Sequence, residues 1–237
     1  MGRGAQPAPC QGERPIVTDP SPLPPIDLDD TPAGRILATA RAILVRERYS
    51  GLTMDALAFA LGMSKKTIYV HFPSKEAIVS AIIAATGATI RRRITAVMDG
   101  PGGFPDKFEA VLGIIAGYFG AMRPDYLQDL QRHAPQLYRE IDALKEHNIP
   151  LVFRRVLAFG VAQGHVRADI DVTFLIEYWL QVIKGVHDPV VLNRTGLTPR
   201  AAFEKALDLF IRGVLTDAGR AQSRWGESAA EPDPQSP

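Results

Sequence analysis

The sequence is poor in cysteine and has no long apolar run. Cys10 is the single cysteine among 237 residues, so an internal disulfide and a cysteine-rich metal site are both excluded. No apolar stretch approaches the roughly 20 residues that span a bilayer, and the first residues lack the apolar core of a signal peptide. We therefore expect a cytoplasmic protein that does not insert into a membrane.

The motifs that mark common catalytic sites are missing as well. The sequence contains no G-x-S-x-G, no glycine-rich phosphate loop and no Cys/His set. His133, Glu140 and His147 recur at intervals of seven, which is not the spacing of HExxH. Pro135 also interrupts any helix that would carry all three. We therefore expect neither an enzyme nor a bound cofactor or metal.

Alternation of apolar and polar residues at period two is nowhere sustained, so the sequence predicts no sheet. Helix signals are frequent instead. Thr31-Pro32 and Thr198-Pro199 each place a capping hydroxyl before a proline at the first helical position. The fold class is therefore all-α. The predicted helices span about 32–51, 54–61, 64–71, a long segment from Ser74, 105–121, a short segment after Pro124, 135–164 with a kink at Pro150, 171–187 and 199–216.

Two segments at the chain ends are poor in periodic apolar residues. Residues 1–30 contain seven prolines and are predicted to be a disordered leader. Residues 219–237 are polar and are predicted to be a second disordered tail.

Positive charge is concentrated in one part of the chain. The total net charge is +1, but residues 31–98 hold ten lysines and arginines against three acidic residues. Such a local excess of +7 is typical of a nucleic-acid-binding segment joined to a neutral or acidic one.

Two short predicted helices in this basic segment have the plan of a helix-turn-helix. Leu57, Ala58 and Leu61 form the inner apolar face of the first helix. Gly62 fits the left-handed conformation that ends this helix, and Ser64 caps the second helix. Ile68 and Phe72 would hold the second helix to the core. Its outer side carries long or polar residues, namely Lys65, Lys66, Thr67, Tyr69 and His71.

The stretch TMDALAFALGMSKKTIYVHFPSKEAI, residues 53–78, resembles the DNA-binding signature of the TetR family of bacterial transcriptional regulators. Lys66 departs from the family pattern, in which a small residue is more usual. The resemblance covers about residues 33–80 by motif, and the rest only by length and helix order. The matching residues are Leu57-Ala58, Gly62, Ser64-Lys65, Thr67-Ile68-Tyr69, His71-Phe72 and Ser74-Lys75-Glu76.

The resemblance implies a three-helix DNA-binding domain over residues 31–80 and a helical ligand-binding and dimerisation domain over residues 81–218. It further implies a homodimer that binds double-stranded DNA at a palindromic operator. The function expected is that of a repressor released by a small, largely apolar ligand. The alternative is a ligand-independent regulator that a protein partner controls.

The resemblance also assigns residues to the DNA surface. Tyr69, His71 and Lys75 are expected at phosphates, and Thr53 both caps its helix and meets a phosphate. Base edges are assigned to Lys65, Lys66 and Thr67, next to the helix N-terminus capped by Ser64. Packing within the domain is the alternative role for Tyr69 and His71. Arg91–Arg93 lie about 24 Å beyond Lys75 along one helix, so we expect them to be a solvated helix end rather than a DNA contact.

The predicted helices 171–187 and 199–216 are apolar nearly all round, which favours burial on more than one side. We expect them to pack against a second copy, and internal core of a monomer is the alternative. The predicted interface residues are Leu175, Trp179, Val182, Ile183, Val186, Phe203, Leu207, Phe210 and Val214. A ligand pocket, with solid core as its alternative, is predicted from Tyr118, Phe119, Met122, Phe153, Leu157, Tyr178 and Trp179.

Overall fold

The computed structural model describes residues 24–120, 124–186 and 188–222. Within these ranges the chain is helical, and the only strand-like pairing is an isolated bridge between Val166 and Leu215. The all-α prediction is confirmed. The helices are α1 (Pro32–Gly51), α2 (Met54–Leu61), α3 (Lys65–His71), α4 (Lys75–Asp99), α5 (Phe104–Gly120), α6 (Pro124–His133), α7 (Pro135–Ala162), α8 (Val172–Val186), α9 (Pro189–Thr195), α10 (Pro199–Val214) and α11 (Asp217–Ala221).

Most helix starts coincide with a side-chain cap that the sequence predicts. The hydroxyls of Thr31 and Thr198 accept hydrogen bonds from Gly34 N–H and Ala201 N–H at 3.1 and 3.2 Å. The prediction misses α9, although Asp188-Pro189 carries a similar signal. Asp188 Oδ1 accepts from Val190 N–H at 2.7 Å. Short helices with one cap are therefore the elements that the sequence pattern reveals least well.

The buried side chains form two clusters, and α4 contributes to both. The N-terminal core joins α1, α2, α3 and the first half of α4 to parts of α6 and α7. The C-terminal core joins the second half of α4 to α5, α7, α8 and α10. Ile78 and Ile82 lie in the first cluster, whereas Ile94 and Met98 lie in the second. The predicted boundary at residue 80 therefore falls inside a helix that both halves share.

α4 also packs closely against α7 near its middle. A Cβ atom built on Gly87 would lie 2.4 Å from Leu144 Cδ1, so a larger residue there would force the Leu144 side chain to move. One turn further along α4, Arg91 Nη1 donates to Asn148 Oδ1 at 2.7 Å. A close packing contact and a side-chain hydrogen bond thus hold the two helices together.

Residues 24–30, which we call the strap, correct the prediction of a disordered leader. The strap lies against three helices. Asp27 N–H donates to Thr89 Oγ1 of α4 at 3.0 Å, and Tyr118 of α5 donates to Pro25 O at 2.8 Å. Arg41 of α1 donates to Pro24 O. The remaining part of the predicted leader, residues 1–23, lies outside the described residues.

The predicted C-terminal tail begins later than expected. α11 occupies Asp217–Ala221, and Thr216 caps it by accepting from Gly219 N–H at 3.1 Å. Gly219 is buried against the His165 carbonyl. Residues 219–221 therefore belong to the fold, and residues 223–237 lie outside the described part of the chain.

None of the helices in the described ranges combines the length and the apolar character that crossing a membrane requires.

Candidate nucleic-acid interface

The turn between α2 and α3 has the geometry that the sequence predicts. Gly62 adopts φ 62° and ψ 28°, the left-handed conformation in which side chains other than glycine are strained. Leu57 of α2 and Ile68 of α3 are both fully buried beneath the turn. Thr53 accepts from Ala56 N–H at 3.1 Å and so caps α2. The turn, the cap and the two buried residues fix the position of α3.

α3 presents almost its whole surface to solvent. Ile68 is its one buried residue, and Ser64 caps it by accepting from Thr67 N–H at 3.1 Å. Of the two residues predicted to hold this helix to the core, Ile68 is fully buried and Phe72, just after the helix, is half-buried against the N-terminal core. Contact with DNA stays a prediction for the outward residues. The exposed predicted residues in and before α3 are Ser64, Lys65, Lys66, Thr67, Tyr69 and His71, and Thr53 before α2 is exposed as well.

Lys65 is already paired within the domain. Its ammonium lies 2.9 Å from Asp55 Oδ1 of α2, and this hydrogen bond raises the pKa of Lys65. Both side chains are largely exposed, so solvent weakens the pair. Lys66 carries its charge at the neighbouring exposed position.

Lys75, predicted to contact a phosphate, already has partners inside the protein. Its ammonium donates to the Tyr49 carbonyl at 2.8 Å and lies 3.8 Å from the centroid of the Tyr49 ring. Burial lowers the pKa of Lys75. The side chain therefore joins the start of α4 to the end of α1, and its contact with a phosphate stays a prediction.

The same junction contains two further polar contacts. The Tyr49 hydroxyl donates to Glu76 Oε1 at 2.5 Å, and this hydrogen bond lowers the pKa of Glu76. Ser50 N–H at the end of α1 donates to Asp129 Oδ2 of α6 at 2.8 Å. The DNA-binding domain is therefore fixed to both α4 and α6 at the end of α1.

Val70 is a candidate site residue that the sequence analysis does not include. It lies on α3 three residues after Thr67 and four after Lys66, which places the three side chains on one face. Its side chain is 76% exposed. An exposed β-branched residue at this spacing is the signal that identifies it.

The arginine triplet Arg91–Arg93 is predicted to be a solvated helix end, and the structure gives it a different place. The triplet lies inside α4 and not at its end. Arg92 pairs with Asp27, and Arg93 donates to Pro25 O at 3.0 Å. The triplet therefore holds the strap and α7, so part of the local charge excess does not serve the DNA surface.

The predicted ligand pocket is mostly closed core. Phe153 and Leu157 line an apolar void between α5, α7 and α10 that holds about 10 Å³, the space of one water molecule. Trp179 is 1% exposed and packs against Phe153, Phe203 and Phe210. The alternative of solid core therefore describes these residues.

The other predicted pocket residues do not meet at that void. Tyr118 is buried and donates to the strap. Tyr178 is exposed and stacks on Phe174, so its assignment to the pocket is wrong. Met122 and the side chain of Phe119 lie outside the described residues.

The predicted dimer interface needs a similar correction. Seven of its nine residues are buried by their own chain and leave no surface for a partner, namely Leu175, Trp179, Ile183, Phe203, Leu207, Phe210 and Val214. Val182 and Val186 are partly buried and stay predictions. The opposite faces of α8 and α10 carry exposed apolar side chains, Phe174 and Tyr178 on α8 and Leu209 on α10. The exposed apolar surface of these two helices therefore lies on the face opposite to the predicted residues.

An open cleft of about 390 Å³ lies where the end of α1 and the start of α4 meet α6 and α7. Tyr49, Glu76, His133 and Glu140 are among its lining residues. Polar and charged side chains take part in its lining, whereas the lining of the predicted pocket is apolar. Across residues 24–120, 124–186 and 188–222, no three His, Cys, Asp or Glu side chains are grouped as metal ligands are.

The glycine turn over a buried Leu57 and Ile68, the capped and exposed α3 and the helical C-terminal half define a helix-turn-helix DNA-binding protein. Residues 36–82 match the family model described as bacterial regulatory proteins of the tetR family. The match covers the helix-turn-helix part of the chain, and the protein is a DNA-binding transcriptional regulator of the TetR type.

Relatives and solved structures agree with this assignment. The chain is 26% identical to the DNA-binding transcriptional repressor TetR of Mycobacteroides abscessus over 60% of this chain and 74% of the relative. It is 22% identical to the uncharacterized regulator YvaF of Bacillus subtilis over 77% of this chain and 95% of the relative. A putative transcriptional regulator from Saccharomonospora viridis, solved in complex with choline, shares the fold with a TM-score of 0.58 and 18% identity, over 78% and 97% of the two chains.

Proposed function

We propose that the protein is a homodimeric repressor that binds a near-palindromic operator and is released from it by a small, largely apolar ligand. The observation that carries this proposal is α3, a capped helix with one buried side chain and an outward surface of polar and cationic residues. A helix of this kind fits the major groove, and its N-terminus favours phosphate or base edges.

The outward residues of α3 fall into two groups, those assigned to base edges and those assigned to phosphates. Lys65, Lys66 and Thr67 lie in the first turn of α3, next to the capped N-terminus, and are assigned to base edges. Tyr69 and His71 lie nearer its end and are assigned to phosphates. On binding, Lys65 exchanges its contact with Asp55 for one with DNA, so Asp55 and the operator compete for the Lys65 ammonium.

Val70 adds an apolar contact to this surface. The C5-methyl group of thymine is the apolar group that the major groove offers. Val70 is exposed on the same face as Lys66 and Thr67, so we assign it to a thymine methyl in each half-site.

The exposed apolar faces of α8 and α10 support the dimer. Phe174 and Tyr178 stack with ring centroids 6.3 Å apart, and Leu209 is exposed on the adjacent helix. A second copy related by a two-fold axis would cover this surface with the same residues. The two copies of α3 would then read two half-sites, which requires an operator with inverted symmetry.

The apolar void supports a ligand of apolar chemistry. Phe108, Val111 and Leu112 of α5 face Phe153 and Val156 of α7 across it. Because the void holds only about 10 Å³, a ligand must separate α5 from α7 to enter. A ligand that binds the expanded state and an operator that binds the closed state weaken each other by the same factor.

The proposal is tested by selecting bound DNA from a random pool with the full-length protein. We expect an inverted repeat whose affinity falls by roughly 10³–10⁵ between 50 and 200 mM salt, as for about 6–10 phosphate contacts. The Lys66→Ala variant is expected to change the selected bases, whereas Arg92→Ala retains them. Selection of no DNA, or a response independent of salt, would contradict the proposal.

Compound screening distinguishes a ligand-released repressor from the alternative, a regulator that a protein partner controls. We expect some apolar compounds to raise the melting temperature of the free protein and to bind more weakly once operator is present. Compounds that bind equally with and without operator would favour control by a partner.

A further inference from the structure

The first two residues of the strap contact both the DNA-binding domain and the C-terminal domain. Arg41 of α1 donates to Pro24 O, and Tyr118 of α5 donates to Pro25 O at 2.8 Å. Ile26, the next residue of the strap, packs against the N-terminal core. We propose that the strap is an intramolecular clamp that holds α1 and α5 in one arrangement and thereby favours the operator-binding state. The link between the clamp and operator binding rests on the proposed function.

The middle of the strap is anchored on α4. Asp27 N–H donates to Thr89 Oγ1 at 3.0 Å, and Thr89 is almost fully buried. The Asp27 carboxylate pairs with Arg92 one turn further along α4. Thr89 lies between the parts of α4 that contribute to the two cores. The strap therefore crosses the junction of the two domains, and a hydrogen bond at its centre attaches it to α4.

The strap also restrains the helix that closes the apolar void. Phe108, Val111 and Ile115 of α5 line that void, and Gly117 and Tyr118 follow on the same helix. A Cβ atom built on Gly117 would lie 3.4 Å from Pro24 Cγ, so this end of α5 is in contact with the strap. Movement of α5 away from α7 therefore requires the strap to shift or detach.

The direction of the effect follows from this geometry. An attached strap stabilises the closed void, and the closed state is the one assigned to operator binding. Detachment shifts the population towards the expanded state, which lowers operator affinity and raises affinity for an apolar ligand. We expect a change of about tenfold, inside the roughly 5–150-fold range of coupled sites.

The first test measures amide hydrogen exchange of the free full-length protein. Thr89→Val keeps the shape of the side chain but removes the acceptor for Asp27 N–H, which leaves a polar group unpaired if the strap stays in place. We expect faster exchange in the strap and, together with it, in residues 36–44 of α1 and 108–118 of α5. Faster exchange confined to the strap would overturn the clamp, because it would show that the strap restrains neither helix.

The second test uses a matched pair of substitutions on α5. Gly117→Leu places a side chain against Pro24, whereas nothing lies within 4 Å of a Cβ at Gly113. Both changes replace a helical glycine by leucine. We expect Gly117→Leu to weaken operator binding about tenfold relative to Gly113→Leu. Equal affinities of the two variants would overturn the link to operator binding.

The two tests separate the clamp from the proposed function. If the wild-type protein selects no DNA, the proposed function fails, and the exchange experiment still decides whether the strap couples α1 to α5. If the wild-type protein binds an operator and both tests show no coupling, only the clamp fails.

Discussion

The ammonium of Lys75 lies 3.8 Å from the centre of the Tyr49 ring and donates to the carbonyl of the same residue. One side chain thus attaches the start of α4 to the end of α1 through both the ring and the backbone. Partial burial strengthens a cation–π contact and a charged hydrogen bond relative to exposed ones. Lys75 therefore stabilises the junction of α1 and α4.

Lys75→Ala is expected to lower the free energy of unfolding by about 1–2 kcal/mol, since it removes a cation–π contact and a charge-assisted hydrogen bond. Operator affinity should fall by the same factor for all DNA sequences, because no base contact is lost. Denaturant unfolding and binding to a set of operator variants measure the two effects. Lys66→Ala is the control, with stability unchanged within about 0.5 kcal/mol and altered base preference. Unchanged stability of Lys75→Ala would mean that its ammonium faces solvent.

Tyr49→Phe is expected to remove a stabilising contribution that depends on pH. The Tyr49 hydroxyl holds the pKa of Glu76 below its ordinary value of 4.5. A lowered pKa in the folded state stabilises the fold above about pH 4.5, and this contribution disappears as the pH falls through the folded value. The stability difference between wild type and Tyr49→Phe should therefore be largest near pH 7 and shrink towards pH 3. Denaturant unfolding at several pH values measures it, with Tyr138→Phe as a control whose difference stays constant. A constant difference for Tyr49→Phe would contradict the assignment.

The contact of Val70 with thymine is testable on both partners. Replacing one operator thymine by uracil removes only the methyl group, and burial of such a group contributes roughly 0.8 kcal/mol, about fourfold in affinity. We expect this loss for the wild-type protein and not for Val70→Ala, at one thymine position in each half-site. Equal sensitivity of the two proteins at all thymines would exclude the contact.

Leu209→Asp is expected to convert the dimer to monomer. Leu209 is 74% exposed in the single chain and lies on α10, which packs against α8, so a charge there would be buried without a partner in the proposed two-fold interface. Sedimentation equilibrium measures the mass. Leu151→Asp on α7 changes a similarly exposed leucine and should leave the dimer intact. A dimer that persists in Leu209→Asp would place the interface elsewhere.

Local signals explain why much of the fold could be predicted. Thr31, Ser64 and Ser74 all cap the helices that follow them, and Gly62 has the predicted left-handed backbone. These features depend on neighbours within about four residues, so the sequence is sufficient to identify them.

Long-range contacts explain what could not be predicted. Pro24 and Pro25 have the composition of a disordered leader, but their carbonyls accept from arginine and tyrosine side chains that are distant in sequence. Apolar residues cover both faces of α8, so periodicity alone cannot assign Trp179 to the core and Tyr178 to the surface. The exposed face of α3 was predictable because one side of that helix is polar.

The single buried side chain of α3 has a consequence for the evolution of this protein. Ile68 holds the helix, and the neighbouring outward positions contribute little to folding. Substitutions there change stability by less than about 0.5 kcal/mol, so mutations can accumulate without loss of the fold. A duplicated gene could therefore acquire a new operator through a few changes at Lys66, Thr67 and Val70. The same tolerance does not extend to Leu57 or Gly62, where a change would disturb the scaffold that every operator requires.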